Sequence, residues 1–264
     1  MIGADGLVGK SFRSLYGEQY DVVAVDRGDQ PADYCQGNFD AVFFLAQSAD
    51  YRSTVMTDNL FAVNVQTVFD CLNRLKDKTQ KFVLFSTGSV YQGSDLPLHE
   101  QSAIESDSPG PYVASKLAAE LVAKGFGKAI RAMWILRPFF IYGREQADSM
   151  LFKSMARNIA EGREIKLSGS EGLWFNPVHA HDVASLMHAI ALDDREGIHV
   201  HNVAGPETTS LRRVVELIAK ALGKQLVIET GSQPDKKMIA SVAVPGWKPG
   251  ISISEGIHKS FDPS

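Results

Sequence analysis

Seven residues near the start of the chain, Gly3-Ala-Asp-Gly-Leu-Val-Gly9, narrow the choice of fold more than any other stretch. Glycines three apart let a tight turn open directly into a helix, here the amphipathic run from Lys10 to Tyr16. The first N–H groups of such a helix can face a diphosphate. The apolar stretch Asp21-Val-Val-Ala-Val-Asp26 follows, a strand that ends in an acid. An acid about 20 residues beyond a glycine loop is placed to accept both ribose hydroxyls of an adenosine. A carboxylate there would repel a 2′-phosphate, so Asp26 favours NAD over NADP, and Arg27 beside it weakens that preference without reversing it. Gly3, Gly6, Leu7, Val8 and Gly9, with Asp26 and Arg27, form the candidate dinucleotide cradle.

A loop of this kind follows a strand, and only Met1 and Ile2 precede Gly3. In a doubly wound sheet the first strand is central, flanked by the second and the fourth. Without it, two strand edges would face a gap with unpaired backbone groups. The expectation is that residues upstream of Met1 complete the strand. The alternative is an incomplete sheet with impaired cofactor binding.

Further strands are expected over Asp40–Ala46, Lys81–Ser86 and Ala129–Leu136, with a long helix over 52–76 and another beginning near Tyr112. Continuously apolar strands alternating with helices predict a parallel sheet covered on both faces. Beyond Gly143 the rhythm changes to a helix (148–161), a short strand (164–168), a loop with Trp174 and Phe175, and helices over 182–192 and 211–222. Ser210 is the expected N-cap of the last of these. The expected division is a nucleotide-binding domain over 1–143 and a smaller substrate-binding region over 144–264, with 177–204 packing back on the main sheet.

The stretch Tyr112-Val-Ala-Ser-Lys116 puts a phenol and an ammonium one turn apart on one helix face. The lysine charge favours the phenolate, and desolvation and hydrogen bonding are expected to help lower the phenol from its free value of roughly 10. A tyrosine so tuned passes a proton to or from a substrate hydroxyl near neutral pH. Thr87, Gly88 and Ser89 stand at the C-terminal end of an expected strand, where open α/β sheets keep their chemistry.

Composition closes off other classes. A net charge of −4 over 264 residues gives no electrostatic case for nucleic acid or a membrane surface. No apolar run approaches the roughly 18 residues of a membrane span, and residues 1–5 show no secretory pattern. Cys35 and Cys71 form no spaced pair and suit a reducing cytoplasm. His179/His181 and His199/His201 have a spacing that can bind metal, but no third ligand joins them at useful distance in the chain, so no metal is expected. Asp182 lacks a Gly-x-Ser-x-Gly partner, which argues against a hydrolase.

Taken together the motifs resemble the extended short-chain dehydrogenase/reductase family, the NAD-dependent epimerase/dehydratase group. The matching positions are Gly3/Gly6/Gly9, Asp26, Leu45-Ala46, Asn64-Val65, Thr87 with Val90-Tyr91, Tyr112/Lys116, Arg137-Pro138 with Tyr142-Gly143, and Val178-His179 with Asp182. Gly205-Pro206-Glu207 and Gly246-Trp247 with Glu255-Gly256-Ile257 extend the likeness to about residue 258. The resemblance implies that Tyr112 is the acid/base. Lys116 would lower its pKa and hold the nicotinamide ribose, and Thr87 would bond the reacting oxygen. It implies Leu45, Ala46 and Asn64 beside the cofactor, Pro138 and Phe139 at the nicotinamide carboxamide, and a homodimer through helices like 52–76 and 112–126.

Departures from the family pattern refine this. Dehydratases carry Asp-Glu where this chain has Gly88 and Ser89, so elimination is not expected. Many nucleotide-sugar enzymes have Asn at Phe140 and Arg at Phe175, both holding the substrate's diphosphate. Two phenylalanines make that pocket apolar; Arg144 or Arg163 would compensate. The candidate substrate-binding set is Gly88, Ser89, Phe140, Arg144, Trp174 and Phe175. The leading expectation is a sugar-nucleotide epimerase using NAD, acting on a small-molecule substrate. The alternatives are a dehydrogenase or reductase of a smaller or more apolar carbonyl compound, and a non-catalytic relative with impaired cofactor binding.

Overall fold

The computed structural model describes residues 1–29, 34–241 and 244–262. Its centre is a parallel sheet in the order β1 (Phe39–Phe44), β2 (Thr79–Phe85), β3 (Ala132–Pro138) and β8 (Gly197–Val203). Met1 and Ile2 occupy the place beside β1 where the first strand is expected. The Ile2 N–H donates to Phe43 O (2.9 Å), Leu45 N–H to Ile2 O (2.8 Å), and Val25 N–H to Met1 O (2.9 Å). Ile2 thereby bridges Val25 on one side and Phe44 on the other.

Two expectations change here. The neighbour of the first-strand position is β1, the third strand in chain order, because the described residues between Arg27 and Asn38 pair in no strand. The segment 21–26 is extended but pairs only at Val25, since a single bridging residue gives it no longer ladder to join.

Apolar residues alternate across the sheet. Phe82 and Leu84 of β2 join one core, with Leu72 of α3 (Thr67–Leu75) and Ala123 of α4 (Pro111–Gly125). Val83 and Phe85 join the other, with Phe12 of α1 (Leu7–Tyr16) and Met187 of α6 (Ala180–Leu192). Period-two side chains on a sheet covered by helices on both faces give this double core. The expected helix over 52–76 is broken. A loop runs to Thr57, whose hydroxyl caps α2 (Asp58–Phe61) by accepting from Leu60 N. A π-helical turn (Ala62–Gln66) then leads into α3.

Beyond Gly143 a separate apolar cluster joins α5 (Leu151–Ala160), α7 (Leu211–Leu222) and α8 (Ile253–Phe261) around Phe152 and Phe175. The short strands β4 (Ile141–Tyr142), β5 (Ile165–Leu167), β6 (Leu173–Phe175), β7 (Val178–His179), β9 (Thr209–Ser210), β10 (Ile228–Thr230) and β11 (Lys236–Met238) form three small sheets. Ser210 caps α7 through Arg213 N (3.1 Å) as expected, and Gly223 ends it at φ +60°. Among the described residues no helix is long and apolar enough to cross a membrane.

Candidate active site

The glycine loop joins the bridging strand residue to α1 by close backbone contacts. Gly3 has φ +84°, and a Cβ there would lie 2.7 Å from Ala46 N. At Gly9 a Cβ would lie 2.3 Å from Ala4 O, so α1 packs onto the loop only because that position is bare. Gly6 is the N-cap residue and no side chain caps α1. The helix therefore keeps first-turn N–H groups at Leu7 and Val8 available to an anion. Asp26 holds the loop from the other side: its Oδ1 accepts from Asp5 N at 2.7 Å, and Oδ2 is left for another donor. Arg27 is exposed beside it. Leu45 and Ala46 are half-buried where β1 ends against Gly3. This arrangement fits a dinucleotide.

Thr87, Tyr112 and Lys116 meet at the C-terminal end of β2. Pro111 at the first helical position starts α4, where its fixed φ suits the turn. Thr87 is buried, and its Oγ1 accepts from Ser89 N at 3.2 Å, capping a short helical turn over Gly88–Val90. The Tyr112 hydroxyl lies against Thr87 and donates to Gln47 Oε1 at 3.2 Å.

The expected direction of the tyrosine's acidity is reversed. Burial pushes the Tyr112 phenol up to about 12, with the Thr87 hydroxyl pulling the other way. The reason is the placement of Lys116, whose ammonium is buried and donates to Phe85 O at 2.6 Å rather than turning to the phenol. Burial brings Lys116 itself down to about 8, against the pull of Glu120.

Behind this trio lies a buried ion pair that the motif reading did not reach. Glu120 accepts from Arg137 Nε (2.9 Å), Arg137 NH2 (2.6 Å) and Ser86 Oγ (2.6 Å). Arg137 also donates to Tyr91 Oη (2.9 Å), which in turn donates to Asn202 Oδ1 (2.7 Å). The chain of bonds ties α4, the ends of β2 and β3, and the edge strand β8 into one unit. A signal for Glu120 was present: it is four residues past Lys116, on the same helix face.

Asn64 is a brace. Its Oδ1 accepts from Ser48 N (3.0 Å) and its Nδ2 donates to Ser115 Oγ (2.9 Å), fixing the middle of the Tyr-x-x-Ser-Lys run. It lies in the π-helical turn, a distortion that often marks functional sites. Phe139 is fully buried, stacked on Tyr91 with centroids 6.1 Å apart. A Cβ at Gly88 would come within 2.5 Å of the Phe139 ring, so the aspartate of the dehydratase pattern has no room there.

The remaining substrate candidates divide. Phe140 is half-buried at φ +50°, a conformation costly for a bulky residue. Ser89 and Trp174 are half-buried, as is Pro138 of the cofactor set, whereas Phe175 is fully buried and meets Phe140 edge-on at 5.0 Å. In β6, which pairs antiparallel with β9, Phe175 is packed into the C-terminal core cluster. Arg144 is spent elsewhere, on Lys259 O (3.2 Å) and Asp262 O (3.3 Å) at the end of α8. Arg163 pairs with Glu161 on the surface. His179 caps α6 through His181 N (3.2 Å), and burial lowers it to about 4. Among the described residues no three His, Cys, Asp or Glu side chains are grouped to hold a metal.

The chain is similar in sequence and in fold to known proteins. The chain is 26% identical over 234 residues to a UDP-glucuronate 4-epimerase of Thermodesulfobacterium geofontis, covering 84% of this chain and 71% of that protein. It is 27% identical over 226 residues to a GDP-6-deoxy-D-mannose reductase of Pseudomonas aeruginosa, covering 74% and 70%. The solved UDP-glucuronic acid 4-epimerase of Bacillus cereus in complex with NAD superposes with a TM-score of 0.83 at 20% identity, over 99% and 94% of the two chains. The structure of RMD from Pseudomonas aeruginosa complexed with NADPH gives 0.80 at 26% identity, over 98% and 96%. The family model for the NAD-dependent epimerase/dehydratase family matches residues 1–204, and the chain belongs to that family.

Proposed function

We propose that the chain is a sugar-nucleotide epimerase that inverts a secondary alcohol of its substrate by transient oxidation. The observation that carries this reading is the meeting of the Thr87 and Tyr112 hydroxyls where β2 ends, beside a glycine loop that fits a dinucleotide. The likeness to a UDP-glucuronate 4-epimerase supports the substrate class. NAD, held at the glycine loop and Asp26, would supply the acceptor and donor of the hydride on the two faces of the substrate carbon. Tyr112 as the phenolate takes the proton from the substrate hydroxyl and, as the phenol, gives it back to the ketone oxygen, and Thr87 bonds that oxygen in both states. Lys116 acts from beneath, holding the end of β2 through Phe85 O. Gly88 leaves no acid to expel a hydroxyl, which favours epimerisation over elimination. On this reading residues 1–143 hold the cofactor and 144–264 the rest of the substrate.

The test is incubation with UDP-glucuronate and a small amount of NAD. The 4-epimer should accumulate with no net NADH. A second reading, a reductase or dehydrogenase of a less charged carbonyl compound, is favoured by the half-buried Phe140 in place of a polar group. Stoichiometric NADH turnover without an epimer would support it.

Cofactor choice gives a separate check. Asp26→Ala should weaken NAD by about 10- to 100-fold, the worth of one or two bonds to a charged group. NADP should change less, narrowing the preference. Equal NAD and NADP affinities in the parent protein would show that Arg27 sets the choice.

We also infer a homodimer through α2, α3 and α4. Phe61, Phe69 and Leu121 are 50%, 43% and 69% exposed on these helices, an apolar face that a second copy would cover. Leu121→Glu should produce monomers in sedimentation velocity at micromolar protein. A parent protein that sediments as a monomer would refute the inference.

A further inference from the structure

The loop after β1 lies over the catalytic helix. Gln47 Oε1 accepts the Tyr112 hydroxyl at 3.2 Å. The Tyr51 ring stands edge-on to the Tyr112 ring, with centroids 6.4 Å apart. Tyr51 Oη reaches Met150 Sδ at 3.5 Å, and Arg52 donates to Ser149 O. The loop is braced from within: Asp50 N donates to Ser48 Oγ (3.2 Å), and Thr57 Oγ1 to Asp50 Oδ2 (2.7 Å). It therefore spans from the Tyr112 hydroxyl to the start of α5, and the amide of Gln47 meets the proton that the reaction moves.

We propose that Gln47 is a positioning residue for proton transfer, holding the Tyr112 hydroxyl in the resting enzyme and yielding that place to the substrate oxygen. This rests on the reading of Tyr112 as the acid/base. A phenol has one proton to donate, so the amide oxygen and a substrate carbonyl oxygen compete for it. An amide oxygen accepts from the neutral phenol and offers nothing to the phenolate, so the contact also favours the protonated form. Burial acts in the same direction. The other groups facing the phenol are Tyr51 from the same loop and Thr87 from the end of β2, with Lys116 one turn along its own helix and turned to Phe85 O.

Two variants separate this role from simple packing. Gln47→Leu keeps the bulk and removes the acceptor, so the phenol should ionise at lower pH, by about half to one unit. Gln47→Glu keeps the acceptor and adds a charge, so ionisation should move to higher pH. The measurement is the onset of absorbance at 295 nm from pH 9 to 12.5, taken as the difference between each protein and the same protein carrying Tyr112→Phe. Circular dichroism at each pH confirms that the proteins are folded. With UDP-glucuronate as substrate, Gln47→Leu should also lower KM about three- to tenfold, because the competitor is gone. Shifts in opposite directions support the proposal. Unchanged titrations, or both variants moving the same way, overturn it. If Tyr112→Phe is fully active, the functional reading fails instead, and the titration still decides whether Gln47 holds this hydroxyl.

Discussion

Replacing Tyr112 by phenylalanine should lower kcat by about 10²–10⁴-fold, the usual contribution of general acid–base catalysis. NAD affinity should hardly change. The ring keeps its edge-on contact with Tyr51 and only the hydroxyl is lost. Turnover and NAD titration on the same preparation check both halves. Thr87→Val should impair rate in the same way without touching NAD, although Ser89 N loses its capping oxygen. If Tyr112→Phe retains near-full activity, the proton carrier lies elsewhere. His179 is a poor substitute, because it is buried, caps α6 and is held near 4.

The second large effect is on stability. Arg137→Met should destabilise the fold by about 3–5 kcal/mol, because it leaves Glu120 as a buried charge without its bidentate partner. Both side chains are almost wholly buried, at 5% and 2% exposure, so solvent does not screen the loss. Tyr91 Oη loses a donor in the same change. Chemical unfolding of parent and variant gives the number. The double variant Arg137→Met/Glu120→Leu should recover much of the loss, since an apolar pair of similar volume is often as stable as a buried ion pair. A single-variant loss below about 1 kcal/mol would mean that the pair is hydrated or replaceable.

The parts of the site that were legible in the sequence are those fixed by local geometry. Gly3 and Gly9 could be read because a side chain at either would strike backbone within 3 Å, so the spacing of the loop is a steric requirement. Ser210 before an apolar helix is a local signal of the same kind. The parts that were not legible depend on partners far away in the chain. Glu120 finds Arg137 in β3 and Ser86 just past the end of β2, and Gln47 finds Tyr112 across 65 residues. Helical spacing correctly set Lys116 on the face of Tyr112, but not the environment of each charge. Lys116 is drawn under the sheet end to Phe85 O, and the phenol is left to burial. Phe175 shows the same limit, because in β6 it is packed into the C-terminal core cluster. Nor did the strand pattern show that Met1 and Ile2 would bond on both sides, to Val25 and to β1.

The most direct measurement of the central claim follows one hydrogen. UDP-glucuronate carrying deuterium at C4 is incubated with the protein and a small amount of NAD in ordinary water, and the 4-epimer is examined by NMR and mass spectrometry. Transient hydride transfer predicts that deuterium returns to C4 of the epimer, because the cofactor hands back the hydride it received. An epimer that has exchanged its deuterium for solvent hydrogen would contradict the account, since it would have been formed by proton abstraction from carbon instead.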